Sequence, residues 1–232
     1  MIITVASAIS FSAKPGETTA IIGSTGSGKT TLVSLIPRFY DPDSGQILVD
    51  GVDIKNMTQN DLRSRIGYVP QKAVLFTGSV IENIRYGKND ATDEEIRKAA
   101  ETAQALDFVN AMEQGFDSPI AQGGTNVSGG QKQRLSIARA LVKKPEIYVF
   151  DDSFSALDFK TDSLLRAALK KETADATVII IGQRVATIMD SDHIIVLDEG
   201  KIAGMGTHKE LYANCPVYRE IVASQLSEEE IA

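Results

Sequence analysis

The sequence predicts an α/β domain with a mostly parallel sheet and a helical insertion. Short apolar runs typical of buried strands alternate with helical stretches in residues 1–78 and again in residues 146–232. Between these segments, residues 79–145 have no strand-like runs and show helical periodicity. We therefore expect an α/β core formed by the two outer segments, with residues 79–145 forming an all-helical subdomain.

The composition limits the class of protein. A chain of 232 residues with 43% hydrophobic and 24% charged residues suits one sizeable globular domain. The net charge of −7 argues against a general electrostatic grip on nucleic acid. The single cysteine, Cys215, cannot form an internal disulfide and suits a reducing compartment. No apolar run approaches the about 20 residues that span a bilayer, and Met1–Phe11 has no basic leader, so we expect a soluble domain.

The first part of the predicted core consists of short elements separated by turns. In chain order they are a strand at Thr18–Ile22, a glycine-rich loop at Gly23–Gly28, a helix at Gly28–Ile36, a hairpin with strands at Gln46–Val49 and Val52–Ile54, and a strand at Ile66–Val69. Pro37 ends the helix because it lacks a backbone N–H. Asp50-Gly51 is a strong signal for the hairpin turn.

The insertion and the second part of the core follow. Thr92 and Glu95 are spaced as a capping box, which predicts the start of a helix. A second helix is predicted from Ser128 to just before Pro145. Strands then return, with helical stretches between them, at Ile147–Phe150, Thr177–Ile181 and His193–Leu197.

The glycine-rich loop matches the phosphate-binding pattern G-x-x-x-x-G-K-[ST] at every fixed position. Glycines let backbone amides surround phosphate oxygens, Lys29 is expected to reach the β- and γ-phosphates, and the Thr30 hydroxyl is expected to ligate Mg²⁺. The alternative is a glycine-rich turn with a coincidental lysine, but a strand precedes the loop and a helix follows it, as the phosphate site requires. The predicted nucleotide-binding residues are Gly23, Ser24, Thr25, Gly26, Ser27, Gly28, Lys29, Thr30 and Thr31.

Two carboxylates follow the predicted strand Ile147–Phe150. Ligands bind at the carboxyl ends of strands in open α/β sheets, so Asp151 is placed to ligate Mg²⁺. Asp152 then occupies the position of a base acting on an attacking water. Paired acids after a strand can also be a helix N-cap or part of a loop. The phosphate loop in the same chain favours the metal site.

A third motif identifies a family. It consists of Val127, Ser128, Gly129, Gly130 and Gln131, followed by Lys132-Gln133-Arg134. This stretch resembles the LSGGQ signature of the ATP-binding cassette (ABC) transporters, with valine in place of the first leucine. A serine hydroxyl and glycine amides at a helix N-terminus can bind phosphate. A simple N-capped helix would explain Ser128 but not the residues that follow it.

The resemblance covers essentially the whole chain and implies a RecA-like P-loop NTPase core with a helical subdomain. Gln71 is similar to the Q-loop glutamine, which contacts Mg²⁺ and the attacking water. Leu75–Ile84 is similar to the stretch that exporter cassettes present to the coupling helices of a transmembrane domain. The D-loop, which runs along the dimer interface in the family, corresponds to Ser155, Ala156, Leu157 and Asp158.

The same resemblance implies the chemistry and the partners. The cofactors are ATP and Mg²⁺, and in the family the signature binds the γ-phosphate of ATP held by a second, facing cassette. The implied partners are that second cassette and the coupling helices, with no nucleic acid, at the cytoplasmic face of the cell membrane. The implied catalytic residues are Lys29, Gln71, Asp152 and Gln183, and the implied metal ligands are Thr30, Gln71 and Asp151.

Four positions depart from the family pattern. Exporter cassettes usually have glutamate where this chain has Asp152, and histidine in the switch loop where it has Gln183. The usual glutamate of the loop before the signature is replaced by Gln122. The adenine-stacking aromatic expected well upstream of Gly23 is not evident, so we expect it, and membrane helices, to precede this segment in the natural protein.

These departures refine the functional hypothesis. The chain resembles the degenerate-site half of a bacterial heterodimeric, multidrug-type ABC exporter. Its own ATP site would be slow because of Asp152 and Gln183, while its signature would complete the active site of the partner. The alternative is a non-hydrolysing, ATP-dependent clamp or regulatory cassette. A soluble cassette acting on DNA or ribosomes is disfavoured by the single phosphate loop and the acidic charge.

Overall fold

A computed structural model describes residues 9–226 of the chain. Residues 1–8, on which the prediction about a leader mainly rests, lie outside that range. The strands are β1 (Thr18–Gly23), β2 (Leu48–Val49), β3 (Val52–Asp53), β4 (Ile66–Val69), β5 (Gly78–Ser79), β6 (Pro119–Ile120), β7 (Ile147–Asp151), β8 (Thr177–Ile181), β9 (His193–Asp198) and β10 (Lys201–Gly206). The helices are α1 (Lys29–Ser34), α2 (Gln59–Ser64), α3 (Val80–Arg85), α4 (Asp93–Thr102), α5 (Leu106–Asn110), α6 (Gly129–Val142), α7 (Phe159–Glu172), α8 (Val185–Ile188), α9 (His208–Asn214) and α10 (Pro216–Ala223).

A six-stranded sheet in the order β10-β9-β1-β8-β7-β4 forms the centre of the fold. The pairs β9–β1, β1–β8, β8–β7 and β7–β4 are parallel, and only β10 runs antiparallel, to β9. The predicted mostly parallel sheet is therefore confirmed. Because the five parallel strands point the same way, the loops after them meet at one edge.

Apolar side chains on the two faces of the sheet form two buried clusters. Ile180 and Val196 belong to one cluster, whereas their strand neighbours Ile181 and Leu197 belong to the other, as the alternation of side chains along a strand requires. The first cluster continues into α4, α5 and α6. The inserted segment therefore shares its core with one face of the sheet, and we propose residues 79–145 as its bounds.

The insertion is helical with one local exception. The two-residue strands β5 and β6 pair antiparallel, with Gly78 opposite Ile120 and Ser79 opposite Pro119. So short a ladder contains no apolar run that sequence periodicity could reveal. Within residues 9–226, no helix is long and apolar enough to span a bilayer.

The predicted hairpin is confirmed, although its strands are shorter than expected. β2 and β3 contain two residues each, with Val49 opposite Val52. Asp50 and Gly51 both have a left-handed backbone, with φ of 50° and 79°. This pair of conformations is the one that a type I′ hairpin turn requires, which explains the Asp-Gly signal.

The predicted capping box at the start of α4 is present and has a further role. The Thr92 hydroxyl accepts from the Glu95 amide at 3.2 Å, and Oε2 of Glu95 accepts from the Thr92 amide at 3.1 Å. The Glu95 carboxylate also accepts from Lys88 at 2.9 Å and from Lys144, beyond α6, at 3.1 Å. Bonds from Lys88, the Thr92 amide and Lys144 lower the pKa of Glu95 to about 2.

Glu95→Gln is expected to lower the urea midpoint of unfolding at pH 7, because it keeps the capping geometry but removes the charge that pairs with both lysines. The depressed pKa stabilises the fold above the ordinary glutamate value of about 4.5, and this contribution is lost as the pH falls toward about 2. The difference between wild type and variant should therefore shrink below about pH 4.5. Glu94→Gln, which removes a charge from the same helical turn, is the control; an equal effect of the two variants would contradict the assignment.

Candidate functional site

The segments that carry the predicted site residues lie at one edge of the sheet. β1, β8 and β7 are neighbours and parallel, and β4 lies beside β7. After these strands the chain enters, in the same order, the glycine-rich loop, the switch segment (residues 182–185), the paired acids and the segment of Gln71. Sheet order therefore brings together residues that are up to 160 positions apart in the sequence, as the separation of Gly23 and Gln183 illustrates.

Lys29 lies within its own loop. Its Nζ donates to the carbonyl oxygens of Gly23 and Ser24, both at 2.8 Å, and lies 3.4 Å from Oγ of Ser27. The residue is only 9% exposed. Burial lowers the pKa of Lys29, while the charges of Asp152 and Asp151 oppose that shift. A cation held in this way is suited to an anionic ligand that replaces the carbonyl contacts.

The backbone at the start of α1 supplies further donors. Gly28, the N-cap residue, has φ of 95°, a left-handed conformation that glycine adopts without strain. No side chain caps this helix. Because the first amides of a helix have no intrahelical acceptor, those at the start of α1 remain available to phosphate oxygens.

The Asp151 carboxylate lies between two hydroxyl groups. Its Oδ1 accepts from Oγ1 of Thr30 at 3.0 Å, and its Oδ2 accepts from the hydroxyl of Tyr68 at 3.1 Å. The aspartate is only 2% exposed. Burial and the charge of Asp151 raise the pKa of Tyr68, so Tyr68 remains a neutral donor at physiological pH. The sequence pattern did not predict this role for Tyr68.

These oxygen groups fit a magnesium ion. Mg²⁺ prefers hard oxygen ligands and usually combines one or two carboxylates with water and substrate phosphates. Thr30 and Asp151 provide a hydroxyl and a carboxylate that are already in contact. Among residues 9–226, no three or more histidine, cysteine, aspartate or glutamate side chains are grouped as a metal site. A site completed by phosphate oxygens does not need such a group.

Two glutamines meet at one oxygen of Asp152. Nε2 of Gln71 donates to Oδ2 of Asp152 at 2.9 Å, and Nε2 of Gln183 donates to the same oxygen at 2.6 Å. Burial raises the pKa of Asp152, as does the neighbouring charge of Asp151, whereas the bond from Gln71 opposes the shift. A higher pKa makes the Asp152 carboxylate a stronger proton acceptor. The three side chains predicted from separate motifs are therefore in direct contact.

The backbone of Asp152 is unusual. Its φ is 46°, in the left-handed region, and its amide donates to the carbonyl oxygen of Ile181 at 3.1 Å. Aspartate is one of the few residues other than glycine that visits this region readily. Such conformations are concentrated at functional sites, where surrounding contacts maintain them.

The D-loop is attached to the same centre. Oγ of Ser155 donates to the carbonyl oxygen of Asp152 at 2.9 Å, and the Arg184 guanidinium donates to the carbonyl oxygen of Ser155. Ala156 is exposed and Leu157 is buried. Asp158 caps α7 by accepting from the Thr161 amide at 3.0 Å. The loop thus links Asp152 and the switch segment to the start of α7.

The signature residues form the start of α6. Oγ of Ser128 accepts from the Gln131 amide at 3.2 Å, and Oε1 of Gln131 accepts from the Ser128 amide at 2.8 Å. Helix capping therefore explains Gln131 as well as Ser128, which is more than the sequence suggested. Gly130 approaches the D-loop so closely that a Cβ atom there would lie 3.1 Å from the carbonyl oxygen of Ala156.

The remaining signature residues differ in exposure and contacts. Gly129 is exposed, whereas Val127 is half-buried and packs against the core. In the part of the chain that the structure describes, no hydrogen bond joins residues 127–131 to residues 23–31. Gln133, one turn further along α6, donates to the carbonyl oxygen of Pro70 at 3.0 Å and so ties this helix to the residue before Gln71.

Gln122 and the two histidines of the chain lie elsewhere. Gln122 is exposed in a 3₁₀ turn at Gln122–Gly124. His193 begins β9, where its Nε2 lies 3.4 Å from Glu17. Nδ1 of His208, at the start of α9, lies 2.8 Å from the hydroxyl of Tyr218. None of these contacts involves Asp151 or Asp152.

Known proteins resemble nearly the whole length of this chain. The family model described as ABC transporter matches residues 6–155. An uncharacterized ABC transporter ATP-binding protein of Mycobacterium tuberculosis is 51% identical over 220 residues, which cover 94% of this chain and 38% of that protein. A putative multidrug export ATP-binding/permease protein of Staphylococcus aureus is 45% identical over 217 residues, with the same two coverages. The chain thus spans well under half the length of these relatives.

A solved structure shows the same arrangement of the backbone. It is that of a bacterial Atm1-family ABC exporter with ATP bound, and it superposes with a TM-score of 0.93 at 42% sequence identity. The match covers 97% of this chain and 40% of that one. At this identity, the two chains are similar in sequence as well as in fold.

Proposed function

Because this chain belongs to the ABC transporter family, we propose that it is the cassette of an exporter that binds Mg·ATP at an interface with a second cassette and supports transport by ATP hydrolysis. We further propose that its own ATP site is slow and that its signature completes the active site of the partner. The observation that carries the proposal is the meeting of Gln71 and Gln183 at Oδ2 of Asp152, beside the Thr30–Asp151 pair.

Each residue group has a defined task in this proposal. The loop amides and Lys29 bind the β- and γ-phosphates, and Thr30, Gln71 and Asp151 hold Mg²⁺. When bound, Mg²⁺ neutralises charge that develops on the phosphate oxygens. Asp152 accepts the proton of the water that attacks the γ-phosphorus, and the bonds from Gln71 and Gln183 hold its carboxylate in place for this role.

Two substitutions relative to the family pattern support a slow site. Aspartate is one methylene shorter than glutamate, about 1.5 Å, and misplacing a reacting group by about 1 Å can reduce a rate 10²-fold. Gln183 donates a hydrogen bond but cannot carry the positive charge of a histidine or exchange its proton near neutral pH. Both changes weaken transition-state stabilisation and leave binding of the ground-state phosphates largely intact.

The arrangement of α6 supports the role in trans. Ser128 and the exposed residue Gly129 lie at the start of a 14-residue helix, and the amides at such a helix start bind phosphate favourably. Residues 127–131 make no described hydrogen bond to the phosphate loop of their own chain, so a second cassette is needed to bring ATP to them. We propose that this second cassette is a different chain with the usual glutamate and histidine.

An exposed aromatic surface fits the transmembrane partner. Phe76 is 45% exposed and Tyr86 is 60% exposed, and their ring centroids are 4.7 Å apart. The Arg139 guanidinium lies 5.1 Å from the centre of the Phe76 ring and donates to the carbonyl oxygen of Asn83 at 2.8 Å, which fixes this surface to α6. We propose that coupling helices dock here, with the cassette at the cytoplasmic face of the membrane.

Asp152→Asn, in the complete transporter that contains this chain, is expected to reduce total ATP turnover only slightly. The reason is that a site slowed about 10²-fold contributes little to the total. The matching change in the partner should nearly stop turnover. Steady-state release of phosphate at saturating Mg·ATP measures both.

The reverse substitution serves as the matched test. Asp152→Glu combined with Gln183→His should raise turnover at this site if the partner's facing signature is competent. If Asp152→Asn alone abolished turnover, Asp152 would be the principal base and the slow-site proposal would be wrong. If the complex with the wild-type chain hydrolysed no ATP above background and the double variant gained nothing, the cassette would be a nucleotide-dependent clamp.

A further inference from the structure

Gln225, just beyond α10, contacts the switch segment through both ends of its side-chain amide. Its Oε1 accepts from the backbone amide of Val185 at 2.8 Å, and its Nε2 donates to the carbonyl oxygen of Gln183 at 2.8 Å. The two backbone groups are two residues apart in sequence but 40 or more residues from Gln225. A primary amide is suited to this bridge because it presents one acceptor and donors side by side.

The bridge supplies a cap that α8 lacks. α8 contains only the four residues Val185–Ile188, and its N-cap residue, Arg184, makes no side-chain cap. The first amides of a helix have no intrahelical acceptor, and Val185 is the first residue of α8. Gln225 therefore caps this short helix from a distant part of the chain.

The position of Gln225 is itself fixed by packing. Tyr218 and Val222 of α10 are fully buried, and Leu226 packs against the main core cluster. The Gln225 and Leu226 amides both donate to the carbonyl oxygen of Val222, at 3.0 and 2.9 Å. The side chain of Gln225 thus extends from a segment that the core holds in place, although Gln225 itself is exposed.

The contact reaches the candidate catalytic centre through one residue. Gln225 binds the carbonyl group of Gln183, and the side chain of Gln183 donates to Oδ2 of Asp152 at 2.6 Å. We propose that Gln225 is a positioning residue, which holds the backbone of the switch segment so that the Gln183 side chain meets Asp152. The catalytic part of this inference rests on the proposed function, whereas the structural part does not.

Gln225→Ala tests the structural part in the whole protein without nucleotide. Because Gln225 is exposed, the variant should keep its fold and its melting temperature within a few degrees. Hydrogen exchange at the Val185 amide should become about tenfold faster, since one hydrogen bond is lost. The side-chain amide signal of Gln183 in an ¹⁵N spectrum should move toward its position in Asp152→Asn, because both variants weaken the same contact.

Two further variants distinguish loss of the hydrogen bonds made by Gln225 from a general loss of structure after α10. Ser224→Ala, which removes a hydroxyl that donates to the carbonyl oxygen of Ile221 in α10 at 2.7 Å, should change neither signal. Gln225→Glu keeps an acceptor for the Val185 amide but loses the donor to Gln183. It should therefore restore protection at Val185 without restoring the Gln183 signal. Wild-type exchange at Val185 in Gln225→Ala would overturn the proposal.

The catalytic part is measured at this site alone. In a complex whose partner site has been inactivated by replacing its catalytic carboxylate, Gln225→Ala should slow single-turnover hydrolysis about tenfold and leave the Kd for ATP unchanged. If Gln225→Ala also weakened ATP binding about tenfold, the positioning role would be wrong, because the change would then have disturbed the phosphate site itself. Absence of hydrolysis in the corresponding complex without the Gln225 change would contradict the proposed function, while the exchange and spectral results would still decide the structural part.

Discussion

Lys29→Ala is expected to weaken binding of Mg·ATP by about 100-fold or more. The Lys29 ammonium group lies nearly buried in the phosphate loop, where its three donors are held by oxygen atoms of Gly23, Ser24 and Ser27. Charge-assisted hydrogen bonds to phosphate contribute about 1.5–3 kcal/mol each, and alanine removes at least one such bond together with its charge. Isothermal titration calorimetry at fixed salt concentration measures the change.

A control for net charge is available on the surface. Lys55→Ala removes a cation whose Nζ donates to the carbonyl oxygen of Pro42 at 3.4 Å, and which belongs to the hairpin region rather than to the site. This variant should bind Mg·ATP like the wild type. Circular dichroism should show that both proteins are folded. Equal affinity of the wild type and Lys29→Ala for Mg·ATP would then rule out the assigned phosphate site.

Ser128→Arg is expected to abolish hydrolysis at the partner's site in the assembled transporter. The arginine side chain would occupy the space that the γ-phosphate takes in the proposed interface. A cation at this end of α6 is also unfavourable to the helix dipole. Turnover in a complex with a partner that carries the usual glutamate and histidine measures the effect, because the proposed arrangement assigns nearly all hydrolysis to the partner's site.

Capping has to be separated from obstruction, since Ser128 is also the N-cap of α6. Ser128→Ala removes the cap, which stabilises the helix by about 1 kcal/mol, but leaves the space open. It should retain most of the turnover that Ser128→Arg loses. If both variants hydrolyse ATP at the wild-type rate, the claim that this signature serves the partner is wrong.

The sequence predicted those parts of the site that a local pattern encodes. The loop around Lys29 and the acids after β7 require a strand, a turn and a particular side chain within a few residues, and such spacing is visible without a structure. The start of α6 at Ser128 was also predicted from the local sequence, whereas the capping role of Gln131 was not.

Contacts between distant segments could not be predicted in this way. The meeting of Gln71 and Gln183 at Asp152 depends on the order of β4, β7 and β8 in the sheet, which no local periodicity records. Tyr68 and Gln225 had no signal at all, because an isolated tyrosine on a strand or glutamine after a helix is ordinary. Their roles arise only from where the sheet and α10 place them.

Several elements are shorter than the sequence predicted, for physical reasons. The helix expected up to Ile36 ends at Ser34, because Pro37 lacks an N–H and the chain turns into a left-handed conformation at Arg38, with φ of 53°. The strand expected from Gln46 begins only at Leu48, and its ladder to β3 has two residue pairs. Apolar character alone therefore predicts such elements to be longer than they are.

The left-handed backbone of Asp152 bears both on the stability of the fold and on the proposed rate of hydrolysis. Aspartate adopts φ near 46° more readily than glutamate, because its short side chain is among those enriched in that region. A change from glutamate to aspartate there relieves local strain while shortening the reach of the base. In the proposed slow site, aspartate at this position would favour the stability of the backbone over the rate of hydrolysis.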